Sequence, residues 1–513
     1  MASQEGVPLS SIPTGTVVHP SPPVDVENAI DSGDATLKRL FRRYGATWDG
    51  PNDPHNPYNW NYPRRLRIAA VVSLGQFLAY MSASMIAPAL VDIENELHID
   101  ATTSQVVMLI TFLGFGIGEF AFAVLAEIFG RRPAWIVGNT WFILWNAIAP
   151  SGNSTELLIF ARLMAGIGAS VNIVLAFPVM QDLFHEEHRG LSIAIVSCLT
   201  YTGPALGPIL GGIAMRYLRW QWIFWILSII NTGVVIIGYF LLEETYTPSL
   251  LRHKRAAQAS TTSSTSPLWK PWQSMKAAQE EASLTECLFR PFQLYTTRPI
   301  IYVITGLLAL DMGVYCVMLS SLAKLWTERY HTSKFTSSLH YIAVAIGATI
   351  NGQCGSWLMD RIYSVLKRRN KGVGQPEFRV PYLVPGLVLM PAGLVWYGWA
   401  AHHVLSWAMV DFGVGIFTLG SFTTAQAVNS YQLDEFKEYS ASALAATFLL
   451  QNVLGFLMPI WAPKMYEVLG YGWGNSLVAL VVVVVGLPMA AVLWFWGAKI
   501  RAMGRKEDEL ENE

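Results

Sequence analysis

Twelve runs of about 20 mostly apolar residues divide this chain, each long enough to cross a hydrocarbon core of about 30 Å as a helix. They fall at 67–91, 103–126, 133–150, 157–181, 190–215, 221–242, 300–323, 337–358, 381–401, 404–429, 440–462 and 474–497. Inside lipid a backbone has to satisfy its own polar groups, so successive runs of this kind fold as packed helices. The expectation is an all-α membrane protein. Charge agrees: 52% of the 513 residues are hydrophobic and 14% charged, against about one quarter charged in soluble domains. A net charge of −1 offers no basic surface for nucleic acid. Cys198, Cys287, Cys316 and Cys354 show neither metal nor disulfide spacing and read as small buried apolar residues.

Six runs precede Glu243 and six follow Pro299. The expected organisation is a tail over 1–66, a first six-helix bundle over 67–243, a middle loop over 244–297, a second bundle over 298–498 and a tail over 499–513. An even number of crossings puts both tails on one side. That side collects Arg131, Arg132, Arg189, the stretch Arg361 to Arg379 and the basic residues of both tails, while the other keeps a few, such as Arg216, Lys324 and Lys334. The positive-inside bias makes the tails cytoplasmic. Asn153 opens an Asn-Ser-Thr sequon on an outer loop and is the expected glycosylation acceptor. Residues 1–66 read as mostly disordered. Their last part, WDGPNDPHNPYNW from Trp48 to Trp60, is dense in turn formers and reads as an ordered cap under the first span. In the middle loop the run Ser260 to Ser266 reads as flexible linker.

Charges inside the apolar runs are expensive and therefore informative. Glu119 lies eight residues before Glu127, roughly 12 Å into the membrane at about 1.5 Å per residue. A carboxylate there is costly to ionise in lipid, so its proton occupancy follows its surroundings, as a proton-coupling group requires. Asp311 lies near the middle of the seventh span and Asp411 nearer the outer face of the tenth. Arg162, in RLMAGIGAS of the fourth span, cannot neutralise itself and must find an acid, a carbonyl or an anionic substrate. Lys324 and His340 fall near outer helix ends. Asn351, Gln353, Gln426, Asn429, Gln451 and Asn452 are suited to lining a cavity or bonding between helices, and Tyr315 and Phe422 to stacking on a planar ligand.

Two sequence patterns add architecture. AVLAEIFGRRP, from Ala123 to Pro133, puts Glu127, a turn at Gly130, and Arg131 and Arg132 at the membrane edge. GSWLMDR, ending in Asp360 and Arg361, echoes it after the eighth run, which points to two duplicated halves. In the fifth run, GPALGPILGG places Gly203, Gly207 and Gly211 on one helical stripe beside Gly212, with Pro204 and Pro208 at the same spacing. Such a stripe lets another backbone approach closely, and the prolines bend the helix. No G-x-x-x-x-G-K-[ST], H-E-x-x-H or G-x-S-x-G sequence occurs, which argues against ATP-driven transport and against a hydrolase.

GPALGPILGG, AVLAEIFGRRP and RLMAGIGAS, with the Trp48–Trp60 lead-in, together resemble the fungal twelve-span drug:proton antiporters of the major facilitator superfamily. The resemblance covers nearly everything from Trp48 to Arg501. It implies two pseudo-symmetric six-helix bundles and a proton-coupled exporter of a small organic molecule, a secondary metabolite or drug, in the plasma membrane. It assigns proton transfer to the fourth-span arginine, Arg162, and a gating latch to Glu127, Arg131 and an acid at the end of the fourth span, here Asp182. GPALGPILGG is identified with the antiporter motif that limits leak. Ala123 departs from the glycine that usually opens the gating motif. The implied partners are a small-molecule substrate, protons and the lipid bilayer, with a monomeric chain, no cofactor and no metal. An organic-acid exporter is the alternative, since Arg162, His340 and Lys324 are suited to an anion. A polyamine exporter and a non-transporting sensor rank lower.

Overall fold

The computed structural model describes residues 47–50, 53–152, 154–184, 189–260, 293–436 and 440–503. Asn153, the Ser/Thr run past Ser260 and most of both tails lie outside the described residues.

The apolar runs fold into twelve spanning helices among the described residues. In the first half these are α1 (Tyr62–Ser84), α2 (Ala101–Phe129), α3 (Arg131–Ile148), α4 (Thr155–Leu183), α5 (Arg189–Tyr217) and α6 (Gln221–Leu241). The second half begins with α7 (Ile300–Lys324). It continues with α8 over 342–369, α9 (Val380–His402) and α10 (Trp407–Glu435). α11 and α12, over 440–469 and 471–502, form one continuous path bent at Gly470, whose φ of 70° only glycine adopts at low cost. The termini follow local chemistry. The Asp100 carboxylate caps α2 by accepting from the Thr102 N–H at 3.1 Å, and the Ser154 hydroxyl caps α4 by accepting from the Leu157 N–H at 3.3 Å. α8 is the irregular helix. A π turn over Asn351–Gly355 interrupts it, and Asn351 anchors the interruption by donating to Gln426 Oε1 at 2.9 Å and accepting from the Tyr382 hydroxyl at 2.8 Å.

Within the first half α2 and α3 pack on α4, and α1 packs on α5. Within the second, α9 packs on α10 and α7 on α11. The halves meet along α2–α11 and α5–α8, two contacts that exchange when the numbering shifts by six helices. Polar residues tie helices together inside: Asn172 on α4 donates to Asn139 on α3 at 3.0 Å, and Asn231 on α6 donates to the same oxygen at 3.3 Å. Large apolar side chains point outward, Ile229, Ile236 and Phe240 of α6 among them, as lipid contact demands. Cys316 is buried as expected. Cys354 is exposed instead, because it falls on the outward face of the π turn, whose inward face is taken by Asn351, Gly352 and Gly355.

The lead-in is an ordered cap. Trp48 and Trp60 are buried, and the Asp53 carboxylate accepts from the backbone N–H groups of Asp49 at 2.9 Å and His55 at 2.8 Å. The Tyr58 hydroxyl donates to the carbonyl of Gln181 at 2.9 Å, which fastens the cap to the end of α4. Part of the middle loop is also ordered. Thr247–Ser260 is a helix pinned by buried Leu251 and by Lys254, whose ammonium meets Asp49 at 2.7 Å and Asp53 at 3.4 Å.

Candidate substrate cavity and charge sites

A central cavity opens between the halves. The first half lines it from α1, α2, α4 and α5, through residues such as Gln76, Tyr80, Phe112 and Pro204. The second half lines it from α7, α10 and α11, through Asp311, Tyr315, Phe422, Asn429 and Gln451 among others. Tyr315 and Phe422 meet edge to face at 5.8 Å between ring centres. Both expected stacking residues therefore face the same space.

The intramembrane charges occupy four different environments. Asp311 is buried and belongs to the cavity wall, with the Ser421 hydroxyl beside its carboxylate. Glu119, on α2, is 1% exposed and does not line the cavity. Its Oε2 accepts from the Asn452 side-chain amide of α11 at 3.0 Å, a bond that joins the two halves. Asn452 is adjacent in sequence to Gln451, a lining residue, while neither Glu119 nor Asn452 lines the cavity. Arg162 finds carbonyls: its Nε donates to Val107 O at 2.8 Å and its Nη2 to Met108 O at 3.1 Å, both on α2. Those carbonyls lie eleven and twelve residues before Glu119, roughly 17 Å along the helix, so arginine and glutamate do not pair. Asp411 meets His340 Nδ1 at 2.8 Å, and that imidazole stacks on Trp326 at 3.6 Å. The structure thus places none of Arg162, His340 and Lys324 on the cavity wall, because each is committed to another helix or to a helix end.

At the basic end the first-half motif closes on itself. Gly130, at φ 101°, turns the chain so that the N–H groups of Arg131 and Arg132 both donate to the Glu244 carboxylate, at 2.9 and 3.1 Å. A Cβ on Gly130 would come within 2.8 Å of the Glu244 carboxyl carbon, which together with the positive φ reserves this position for glycine. Arg131 Nε lies 3.6 Å from Asp182 Oδ2, and its guanidinium covers the Tyr246 ring at 4.4 Å. Glu127 adds its charge to the same group.

The second half builds a matching network with different residues. Asp360 pairs with Arg379 at 3.1 Å, and Arg379 also reaches Asp434 at 2.9 Å. Arg379 precedes α9 as Arg131 begins α3, and Asp434 ends α10 as Asp182 ends α4. Arg361, the expected partner, instead lies exposed over Trp357 at 5.2 Å. It directly follows Asp360 on one helix, and neighbours in sequence project from different faces. Arg501 adds Glu377 at 2.8 Å and Glu435 at 3.0 Å. The sequence signal for these partners was faint: a few charged residues at the very ends of apolar runs.

The glycine stripe of α5 lies on α1. A Cβ on Gly203 would approach the Phe77 carbonyl oxygen to 2.8 Å, and one on Gly207 would approach the Met81 carbonyl oxygen equally closely. Gly211 faces Met85 in the same way, Pro204 reaches the cavity, and Pro208 continues the helix one turn on. Gly212 faces Ser338 across the halves, next to an ion pair between Lys334 and Asp92 that also joins them. That pair and the Arg131–Asp182 pair lie at opposite ends of the molecule.

Two helical bundles that meet along crossed helix pairs and share a midmembrane cavity define a membrane transporter. A family model described as Major Facilitator Superfamily matches residues 72–459, and the chain belongs to that superfamily. It is 35% identical to the efflux pump vrtL of Penicillium aethiopicum over 90% of each chain. It is 34% identical to an uncharacterized transporter of Schizosaccharomyces pombe, over 89% of this chain and 93% of the relative. In fold it is similar to the proton:xylose symporter XylE, with a TM-score of 0.63 at 15% identity over 88% of this chain and 99% of the other.

Proposed function

We propose that this transporter exports a small organic molecule in exchange for protons, by exposing the central cavity alternately to the two faces of the membrane. The observation that carries the coupling is the position of Glu119. It is a carboxylate buried at the α2–α11 contact and bonded to Asn452 of the opposite half. Protonation changes what that contact can hold: an ionised carboxylate accepts from Asn452, whereas a neutral one also donates and loses most of its electrostatic pull. Rocking of one half on the other is then tied to a proton. The outward direction is supported by the relative described as an efflux pump, and the cargo class in this reading is a secondary metabolite or drug. In this reading 67–243 and 298–498 are the moving bodies, Arg131–Asp182 and Arg379–Asp434 brace their basic ends, and the stripe at Gly203, Gly207 and Gly211 keeps α1 and α5 sealed. Both tails lie in the cytoplasm, the chain works as a monomer, and the plasma membrane is its site.

The test uses proteoliposomes loaded with a pH-sensitive dye and challenged with a panel of cationic, neutral and acidic amphiphiles. Cargo that moves only with a counterflow of protons, and a Glu119→Gln protein that no longer links the two fluxes, are the expected results. Cargo flux indifferent to an imposed pH gradient rejects the coupling.

A further inference from the structure

The cavity wall is chemically one-sided. Asp311 is its one ionisable acid or base of ordinary carboxyl, amine, guanidine or imidazole type among the described residues, and no lysine, arginine or histidine shares the lining. Four oxygens or hydroxyls there are buried without a hydrogen-bond partner among the described residues: Asp311 Oδ1, the Tyr315 hydroxyl, Asn429 Oδ1 and Gln451 Oε1. Three helices, α7, α10 and α11, thus place residues with partnerless polar atoms on the wall of one space. Between these groups the wall is aromatic, with Tyr80, Phe112, Phe422 and Phe448 joining Tyr315.

Each feature selects on charge. An ionised carboxylate on the wall of a cavity between helices, without a cationic partner there, attracts a positive centre and repels a negative one more strongly than it would in bulk water. Carbonyl oxygens of Asn and Gln solvate a cation or accept from an N–H, and the faces of aromatic rings attract cations through their quadrupole. We infer that the central cavity takes an organic cation, a protonated or quaternary amine on an aromatic body, with Asp311 as its counter-charge and Tyr315, Asn429 and Gln451 around the charged head. An organic acid meets no cation among the described residues of this wall and loses its hydration for nothing.

This inference rests on the cavity being the substrate site, and its test separates the two. The full chain in detergent is titrated with radiolabelled tetraphenylphosphonium, and tetraphenylborate, of nearly the same shape and opposite charge, is the competitor. The wild-type protein is expected to bind the phosphonium saturably and to discriminate against the borate by about tenfold or more. Asp311→Asn should weaken phosphonium binding by about tenfold and abolish the preference, while Asp311→Glu stays within about threefold of wild type. Phe422→Leu, which removes a ring and leaves the charge, should weaken binding by about threefold to tenfold. Thermal unfolding of each variant shows whether it is folded, and the wild-type preference needs no variant at all.

Equal binding of the two ions, or an Asp311→Asn protein that binds the phosphonium undiminished, overturns the inference. If the charge preference fails while pH-driven flux persists, the ligand class falls and the export reading stands. If the phosphonium binds through Asp311 but no flux follows a pH gradient, the site stands and the export reading falls.

Discussion

The two halves of this transporter each bury one carboxylate deep in the membrane and use it differently. In the first half Glu119 is buried at the α2–α11 contact and bonded to Asn452 of the other half. In the second half Asp311 lines the cavity, with Oδ1 buried and without a hydrogen-bond partner among the described residues. One acid sits at the contact between the halves and the other on the cavity wall. The contrast teaches that depth in the membrane, the property both share, does not decide a role; the partner does.

The sharpest way to break this division is to neutralise each acid alone. Glu119→Gln is expected to lower pH-driven flux about a hundredfold, which is about 2.7 kcal/mol in rate. It should leave tetraphenylphosphonium binding within about threefold of wild type. Flux and equilibrium binding measured on one preparation check this, and a Glu119→Gln protein that loses binding as severely as flux merges the two roles.

The braces at the basic end come next. Removing Arg379 takes the guanidinium from both Asp434 and Asp360, whereas Arg361 is exposed over the Trp357 ring. Arg379→Ala is therefore expected to destabilise the second half by about 1–3 kcal/mol and Arg361→Ala by less than about 0.5 kcal/mol. Thermal unfolding midpoints in one detergent decide between them.

Glycines in equivalent helices sharpen the comparison further. A Cβ at Gly207 of α5 meets a carbonyl oxygen of α1 at 2.8 Å, while one at Gly455 of α11 meets the flexible Met312 Cγ at 3.1 Å. Gly207→Ala should destabilise by about 1–2 kcal/mol and Gly455→Ala by less than about 0.5 kcal/mol, because a methionine can swing aside and a helix backbone cannot. The same unfolding measurement ranks the pair.

The smallest effect belongs to the cap, which only the first half possesses among the described residues. Burial pushes the Asp53 carboxyl up, but the N–H groups of Asp49 and His55 and the Lys254 ammonium outweigh it and hold it below the ordinary carboxylate range. A depressed folded value means that this stabilisation is complete above the unfolded value of about 3.9 and fades as pH falls through the lower, folded one. Trp48 and Trp60 fluorescence should report loosening of the cap only below about pH 4, and Asp53→Asn should remove that acid-dependent step.

Much of this molecule was legible in the residues alone. Hydrophobic run length fixed the number and position of the spanning helices, since lipid leaves a backbone no alternative to hydrogen-bonding itself. The expense of burying charge singled out Glu119, Asp311 and Arg162 before any contact was visible. Small residues four apart marked the face of α5 that lies on α1. None of these conclusions depends on which helix neighbours which.

Partnership does depend on it, and only the tertiary structure decided it. That Glu119 bonds across the halves, that Arg162 is spent on two carbonyls of α2, and that Arg379 replaces Arg361 beside Asp360 are facts of helix rotation and adjacency. A hydrophobic period of 3.6 blurs rotation when nearly every residue is apolar, so the sequence holds little information about which face turns inward. Whether a buried acid lines a cavity or fastens a joint is settled by that rotation, a matter of a few tens of degrees that composition and spacing leave open.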